Sequence, residues 1–407
     1  MRHTDRFAAI TLPVFLLMLQ QLLAGIVVAP ASTFFPVYLK DLGWSALMIS
    51  AIATVQRVAG LASSLIGGTL SDSIGPKRTL VLGQACYFAA TLLFVARAPF
   101  PVAVIWAACG FGMGLTTLGG QSYLMENADH AFLGVLTALY YWGYTLGGAA
   151  ANPVAGLLLG RRGYPFLTLA TAVPAVATVL LTAVFLPRSR KEAAPAAAAD
   201  PDRRRGFLGY GRIGRRPEVL MLAMLRFLPT FCYGMAGVFV PLLLKAAGAS
   251  NGLIALYATV SSIVAALAQL AAGRLADSLD WKAPTVTAFL LLGLGALAIA
   301  LFPGSLPVVF AGAVVLLAAA WSLSALMPTL VSKVTVPAER GRVLGFAHLF
   351  WNMAMILGSL TGGFLYVTRP GLPFAAGAAA VAAAIALAFA FFRLVDRRAT
   401  AGLPDLP

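Results

Sequence analysis

Long apolar stretches alternate with short polar turns along the whole chain. Runs of about 20 apolar residues recur, each long enough to cross a hydrocarbon core of roughly 30 Å as a helix. Backbone polar groups in lipid must be satisfied within the segment or in a closed barrel. The runs lack the period-2 alternation of barrel strands, so they predict helices. Twelve spans are expected, at 8–37, 46–69, 79–97, 101–125, 133–159, 165–186, 218–244, 251–273, 284–302, 306–331, 342–367 and 373–394. Their connections are short except for residues 187–217, which are rich in Arg, Ala and Pro and read as a polar linker. The expected organisation is an N-terminal six-helix bundle over 1–186, a basic linker over 187–217, a C-terminal six-helix bundle over 218–394 and a tail over 395–407. Within the linker, "GFLGYGRIGRRPE" has the basic character of a segment lying on a membrane surface.

The second half repeats the first. "PVYLKDLGWS" at 36–45 matches "PLLLKAAGAS" at 241–250, an offset of 205, and "GGTLSDSIG" at 67–75 matches "AGRLADSLD" at 272–280 at the same offset. Parallel repeats of six spans are the sequence form of a two-bundle transporter with its site near the bilayer midplane.

Composition agrees. The 407 residues are 60% hydrophobic and 11% charged, against roughly 25% charged in soluble domains. Cys86, Cys109 and Cys232 fall in apolar runs without metal-like spacing and read as small buried hydrophobes. The basic start, apolar run and "APAS" of residues 1–32 imitate a secretory signal. The apolar stretch is too long for a signal core and is the first of many similar spans, so a span is expected there instead.

The net charge of +15 raises the question of nucleic acid. Its distribution answers it. With both termini inside, inner segments hold 21 Lys and Arg and outer loops hold 6, a strong positive-inside bias. The expectation is a monomeric multi-pass protein of the plasma (inner) membrane, termini cytoplasmic, with lipid rather than nucleic acid around it.

The loop "GGTLSDSIGPKRTL" at 67–80 resembles the inner-loop signature of the major facilitator superfamily, G-x-L-a-D-R-x-G-R-K. Gly68, Leu70, Asp72, Gly75 and Lys77 match, while Ser73 and Pro76 replace two expected arginines. A weaker copy carries Gly273, Leu275, Asp277 and Lys282, with Asp280 in the second Gly position. The resemblance covers the whole chain. It implies an all-α fold of two pseudo-symmetric six-helix bundles and a secondary transporter working by alternating access. It also implies that Asp72 meets the start of span eleven, "VPAERGRVLGF" at 336–346, where Glu339, Arg340 and Arg342 would join an inner-side latch. The alternative is a tight basic loop that only sets topology. "GYTLGGAAANPVAGLLLG" at 143–160 partly resembles the Gly/Pro motif of exporter branches, but Asn152 and Leu157 occupy glycine positions, leaving transport direction open.

Polar and aromatic side chains gather in some spans and avoid others. Spans three, six, nine and twelve are nearly featureless and read as lipid-facing scaffold. A charge at mid-bilayer costs ~2.5–3.5 kcal/mol on insertion scales, so it normally faces a cavity or a partner. Arg57 and Arg226 are the two basic residues inside spans, and no acidic residue lies clearly within one. An anionic substrate would supply the missing charge through bidentate hydrogen bonds. Arg226 would otherwise snorkel about 12 Å to the inner surface. Arg57 would otherwise bond backbone carbonyls or Glu126. Candidate substrate contacts are Arg226, Arg57, Gln20, Gln21, Tyr141, Tyr144, Tyr233, Trp351 and Asn352. The repeat offset makes Arg226 equivalent to Gln21. His348 and Glu126 are candidates for a coupling proton.

These features point to transport of a small organic solute, anionic by preference. A drug or amphiphile exporter would want an acidic residue in the cavity. A transport-dead receptor or scaffold would keep the fold. No nucleophile–base pair, metal cluster or phosphate-cradling loop is legible, so neither enzyme activity nor a cofactor is expected.

Overall fold

A computed structural model describes residues 11–127, 133–188, 214–278, 280–335 and 339–400. Among them are twelve long helices and no strand. In the first half they are α1 (Leu12–Asp41), α2 (Ala46–Ile74), α3 (Pro76–Tyr87), α4 (Pro99–Asn127), α5 (Leu133–Arg162) and α6 (Tyr164–Leu180). In the second they are α7 (Pro217–Ala246), α8 (Asn251–Ser278), α9 (Lys282–Leu301), α10 (Leu306–Ser332), α11 (Arg340–Thr368) and α12 (Leu372–Thr400). A 3-10 stretch, Phe88–Val95, continues α3, and a π turn, Leu181–Phe185, ends α6. Each helix answers one expected span. Several outrun their apolar run by a turn; α1 carries Lys40 and Asp41 as its last residues.

Eleven of these segments are long and apolar enough to cross a membrane. The exception is α5, diluted by Tyr140, Tyr141, Trp142, Tyr144, six glycines and Asn152. Its small residues serve packing. A Cβ on Gly147 would overlap the Leu22 carbonyl of α1, and one on Gly25 would overlap the Tyr144 carbonyl. The backbones of α1 and α5 therefore touch, the contact that small residues make possible where lipid supplies no hydrophobic drive.

The repeat is visible in the geometry. Helices α1 and α7 are each 30 residues long, and both bounds of α7 lie 205 residues after those of α1. Pro36 and Pro241 are equivalent, and both helices end before a left-handed glycine, Gly43 (φ 84°) and Gly248 (φ 87°). No L side chain takes that conformation without strain, which explains a glycine at both. The α1–α5 contact also has its counterpart in α7–α11. There Gly234 lies against Met355, and a Cβ on Gly358 would stand 2.5 Å from the Phe231 carbonyl.

The chain forms two compact units that do not divide cleanly at the linker. One contains Met1–Ser45, Ile52–Ala198 and Ala249–Thr259; the other contains Ala46–Ala51, Ala199–Gly248 and Val260–Pro407. Within the first unit, the start of α8 packs on α5. Gly156 faces Ala255 and Asn251, and Thr259 Oγ1 donates to the Ala149 carbonyl at 3.2 Å. Within the second, the start of α2 packs on α11, where a Cβ on Gly363 would overlap Ser50.

The lipid-facing reading of spans six and nine matches exposed apolar stripes. Leu169, Val173, Val176 and Leu180 run down one side of α6 and continue as Val184 in its π turn, and Leu290, Leu294, Leu297 and Leu301 run down one side of α9. In water such stripes would drive association; in a bilayer they meet their own kind. Span three carries a similar stripe in Leu82, Leu92 and Val95, and its two polar residues lie on the other side. Gln84 of α3 is wholly buried, and Tyr87 is buried with its hydroxyl engaged.

Candidate functional site

The second unit brings polar groups from three helices to one place. On α7, Arg226, Tyr233 and Gly237 lie on a side that is half-exposed or open, whereas Leu222, Leu225, Pro229 and Cys232 are buried. On α10 the open side carries Trp321, Ser324 and Pro328; on α11 it carries His348 and Asn352. These spacings of three, four and seven keep each set on one helical face.

Arg226 joins them. Its Nη1 donates to Ser324 Oγ at 2.9 Å, and its charge reaches both Tyr233 and His348. A guanidinium carries five N–H donors. Ser324 takes one, and no carboxylate pairs with Arg226 among the described residues. His348 stacks on Trp351, ring centroids 5.1 Å apart and 12° from parallel. Asn352 Nδ2 donates to the His348 carbonyl at 3.0 Å. Phe227 packs edge-on against Phe350 and stacks on Phe231, so the surround is aromatic.

The first unit distributes its polar groups differently. Gln20 Nε2 lies 3.5 Å from Gln21 Oε1, a marginal contact, and both residues are buried. The Gln21 Cβ packs beneath Gly143, inside the α1–α5 contact. Tyr87 and Tyr144 share a hydrogen bond of 3.2 Å between hydroxyls. Tyr141, exposed on α5, accepts from Gln121 Nε2, and Thr33 Oγ1 donates to Asn152 Oδ1 at 3.2 Å. Arg57 on α2 is half-buried, with its charge reaching Tyr87 and Cys109. Glu126, near the end of α4, is half-buried.

The inner-side loops give a mixed picture. Gly75, at φ 92°, forms the one-residue turn between α2 and α3, and its carbonyl accepts from Thr79 Oγ1 at 2.9 Å. Lys77 follows, half-exposed, in the first turn of α3. Positions 68, 72 and 277, occupied by Gly68, Asp72 and Asp277, lie on helices but outside the described side chains. Gly273 is half-exposed with open space around it. Glu339 is bound to Arg216, at the end of the linker: Arg216 Nη1 donates to Glu339 Oε2 at 2.7 Å, Nε to Glu218 Oε1 at 2.9 Å and Nη2 to the Val334 carbonyl at 3.0 Å. Burial works against the Arg216 cation, but the two carboxylates outweigh it and raise its pKa above the ordinary arginine value. Arg340 and Arg342 are exposed at the start of α11.

Two partnerships escaped sequence reading, Arg226 with Ser324 and Glu339 with Arg216. The first left one trace, the serine pair Ser322 and Ser324 beside Trp321 in an otherwise apolar span. The second left none, because Arg216 is one of nine basic residues in the linker. Among the described residues no His, Cys, Asp and Glu group suits a metal ion.

Three solved structures share the fold over nearly the whole chain. A bacterial homologue of the human lysosomal transporter Spinster, inward-facing and unoccupied, superposes with a TM-score of 0.70 at 15% identity, covering 95% of this chain and 97% of that one. A D-xylose-proton symporter gives 0.74 at 16% identity, covering 93% and 97%. A nucleoside transporter, NupG, gives 0.75 at 16% identity, covering 94% and 99%. No curated protein matches the sequence. The family model described as the Major Facilitator Superfamily matches residues 17–324 and again 222–406. Twelve helices in two repeated sets, the Gly75 turn and this match together place the chain in the major facilitator superfamily, to which it belongs.

Proposed function

We propose that the protein is a secondary active transporter that carries a small organic anion across the plasma membrane by alternating access, with both termini cytoplasmic. The observation that carries this reading is Arg226. A permanent cation sits about nine residues, roughly 14 Å, along α7, with one donor on a neutral hydroxyl and no carboxylate partner among the described residues. A charge at that depth is kept where a ligand or cavity repays its desolvation. A carboxylate fits the free edge of a guanidinium through two parallel hydrogen bonds.

In this proposal Arg57, Tyr144 and Tyr141 are candidates for secondary contacts, and Asp72 is the candidate for the inner latch. A proton is the proposed driving ion, with His348 and Glu126 as candidate carriers. A proton symporter among the structural neighbours lends this some support.

Uptake into proteoliposomes, with small carboxylates and with cationic amphiphiles, tests the reading with and without a pH gradient. Carboxylate flux is expected, lost on Arg226→Gln while the protein stays folded by size-exclusion profile. Flux of cationic compounds alone, or undiminished flux in Arg226→Gln, overturns it and favours amphiphile export. For the latch, Asp72→Asn should lower turnover more than substrate affinity; equal losses would argue against it.

A further inference from the structure

The groups around Arg226 also carry information about what lies beyond the anionic end of the ligand. Helices α7 and α11 run in the same direction through the unit and α10 runs against them. Moving from Arg226 toward the Ala246 end of α7 therefore means moving toward Thr368 on α11 and Leu306 on α10. In that direction lies a succession of rings. Trp321 stands one turn from Ser324, a displacement of ~4.5 Å along the axis, and Trp351 stands one turn from His348 at a similar ~4.5 Å. Tyr233 follows two turns beyond Arg226. Trp321 is 40% exposed. The Trp351 indole has one face on the His348 imidazole, which fixes its orientation. Gly237 continues the open side of α7 with no side chain, and nothing lies within 4 Å of where a Cβ would stand.

We infer that the anion carried by this site is an aromatic monocarboxylate, bound with its carboxylate on Arg226 and Ser324 and its ring among Trp321, Trp351 and Tyr233. This rests on the reading of Arg226 as the anion site and narrows it. The cluster holds one permanent cation, so it matches one carboxylate; a second would have no partner here and would cost desolvation. Two indoles and a phenol within a turn or two of the carboxylate level suit a ring attached directly or through one or two carbons. Aromatic pairs gain from offset or edge-to-face geometry beyond their buried area, so the rings should separate a flat ligand from a saturated one of similar size.

Three probes distinguish the possibilities in the purified full-length protein: phenylacetate, cyclohexylacetate and phenylacetamide, each measured by binding calorimetry and by competition for uptake. Phenylacetate is expected to bind about two- to tenfold more tightly than cyclohexylacetate, the range set by aromatic pairing, and phenylacetamide not measurably. Trp321→Leu should collapse the phenylacetate-to-cyclohexylacetate ratio toward one; Trp351→Leu repeats the test should that variant misfold. Equal affinities for the two acids in the native protein, or a ratio untouched by both substitutions, overturn the aromatic assignment while leaving the anion site standing. Binding of phenylacetamide as tight as phenylacetate, or no binding of either acid, overturns the anion site and the inference with it.

Discussion

The two halves of the chain share a scaffold and differ in chemistry. Helices α1 and α7 have the same length, an equivalent proline and the same left-handed glycine cap, and each packs closely on the fifth helix of its own repeat. The polar side chains on that scaffold are not duplicated. In the first unit they bond mainly with one another: Tyr87 with Tyr144, Thr33 with Asn152, Gln121 with Tyr141. In the second they open onto one face around Arg226. The position equivalent to Arg226 holds Gln21, which is buried under Gly143. Packing is what both repeats preserve, because crowding a close backbone contact costs stability. Ligand chemistry is free to settle in one of them.

The largest test of this asymmetry compares the two intramembrane arginines. Arg226→Gln is expected to reduce carboxylate uptake by at least about tenfold, since one charge-assisted hydrogen-bonding group contributes about 1.5–3 kcal/mol. Arg57→Gln should reduce it by less than about threefold, as initial uptake rates would show. Equal losses would mean that the units contribute alike. A smaller effect tests the shared scaffold. Gly147→Ala and Gly358→Ala each push a methyl into a neighbouring helix backbone. Each should lower stability by about 1–3 kcal/mol, the usual cost of overpacking. The fall in Tm should be similar for both; a loss in only one would show that the close contacts are not equivalent. The smallest effect is expected at Gln84. Its side chain is wholly buried, and neither amide atom has a hydrogen-bond partner among the described residues. Gln84→Leu should therefore leave the stability within about 1 kcal/mol of that of the native protein or raise it, since an unsatisfied buried polar group is itself costly. A clear fall would mean that the amide is bound in the native state.

The sequence was most legible where lipid imposes simple rules. Span length gave the twelve helices, and the 205-residue offset carried through to the ends of α1 and α7. Arg226 stood out because a lone cation among Met, Leu and Phe needs an explanation. Azimuth was much harder to read. In a soluble helix the apolar stripe marks the side facing inward. In a bilayer both lipid and core are apolar, so periodicity does not say which way a side chain points. Gln20 and Gln21 read as cavity residues for that reason, yet they lie buried between helices. Tyr87 and Gln84 looked incidental in a plain span, yet they are buried inside the first unit. Ser324 gave little notice of its partner because a serine two residues away looks the same. Glu339 was expected beside Asp72; Arg216, its partner in the structure, was hidden in a basic linker.

The short helix ends that each unit takes from the other half of the sequence bear on how the protein is made. Residues 46–51 are synthesised with the first half but belong to the second unit, and residues 249–259 the reverse. A ribosome that has released the first six helices has therefore not finished the first unit; a piece of it is still to come with α8. Cutting the chain in its linker would divide the gene product neatly and the folding problem badly. Either fragment made alone would lack the short helix end that its unit takes from the other.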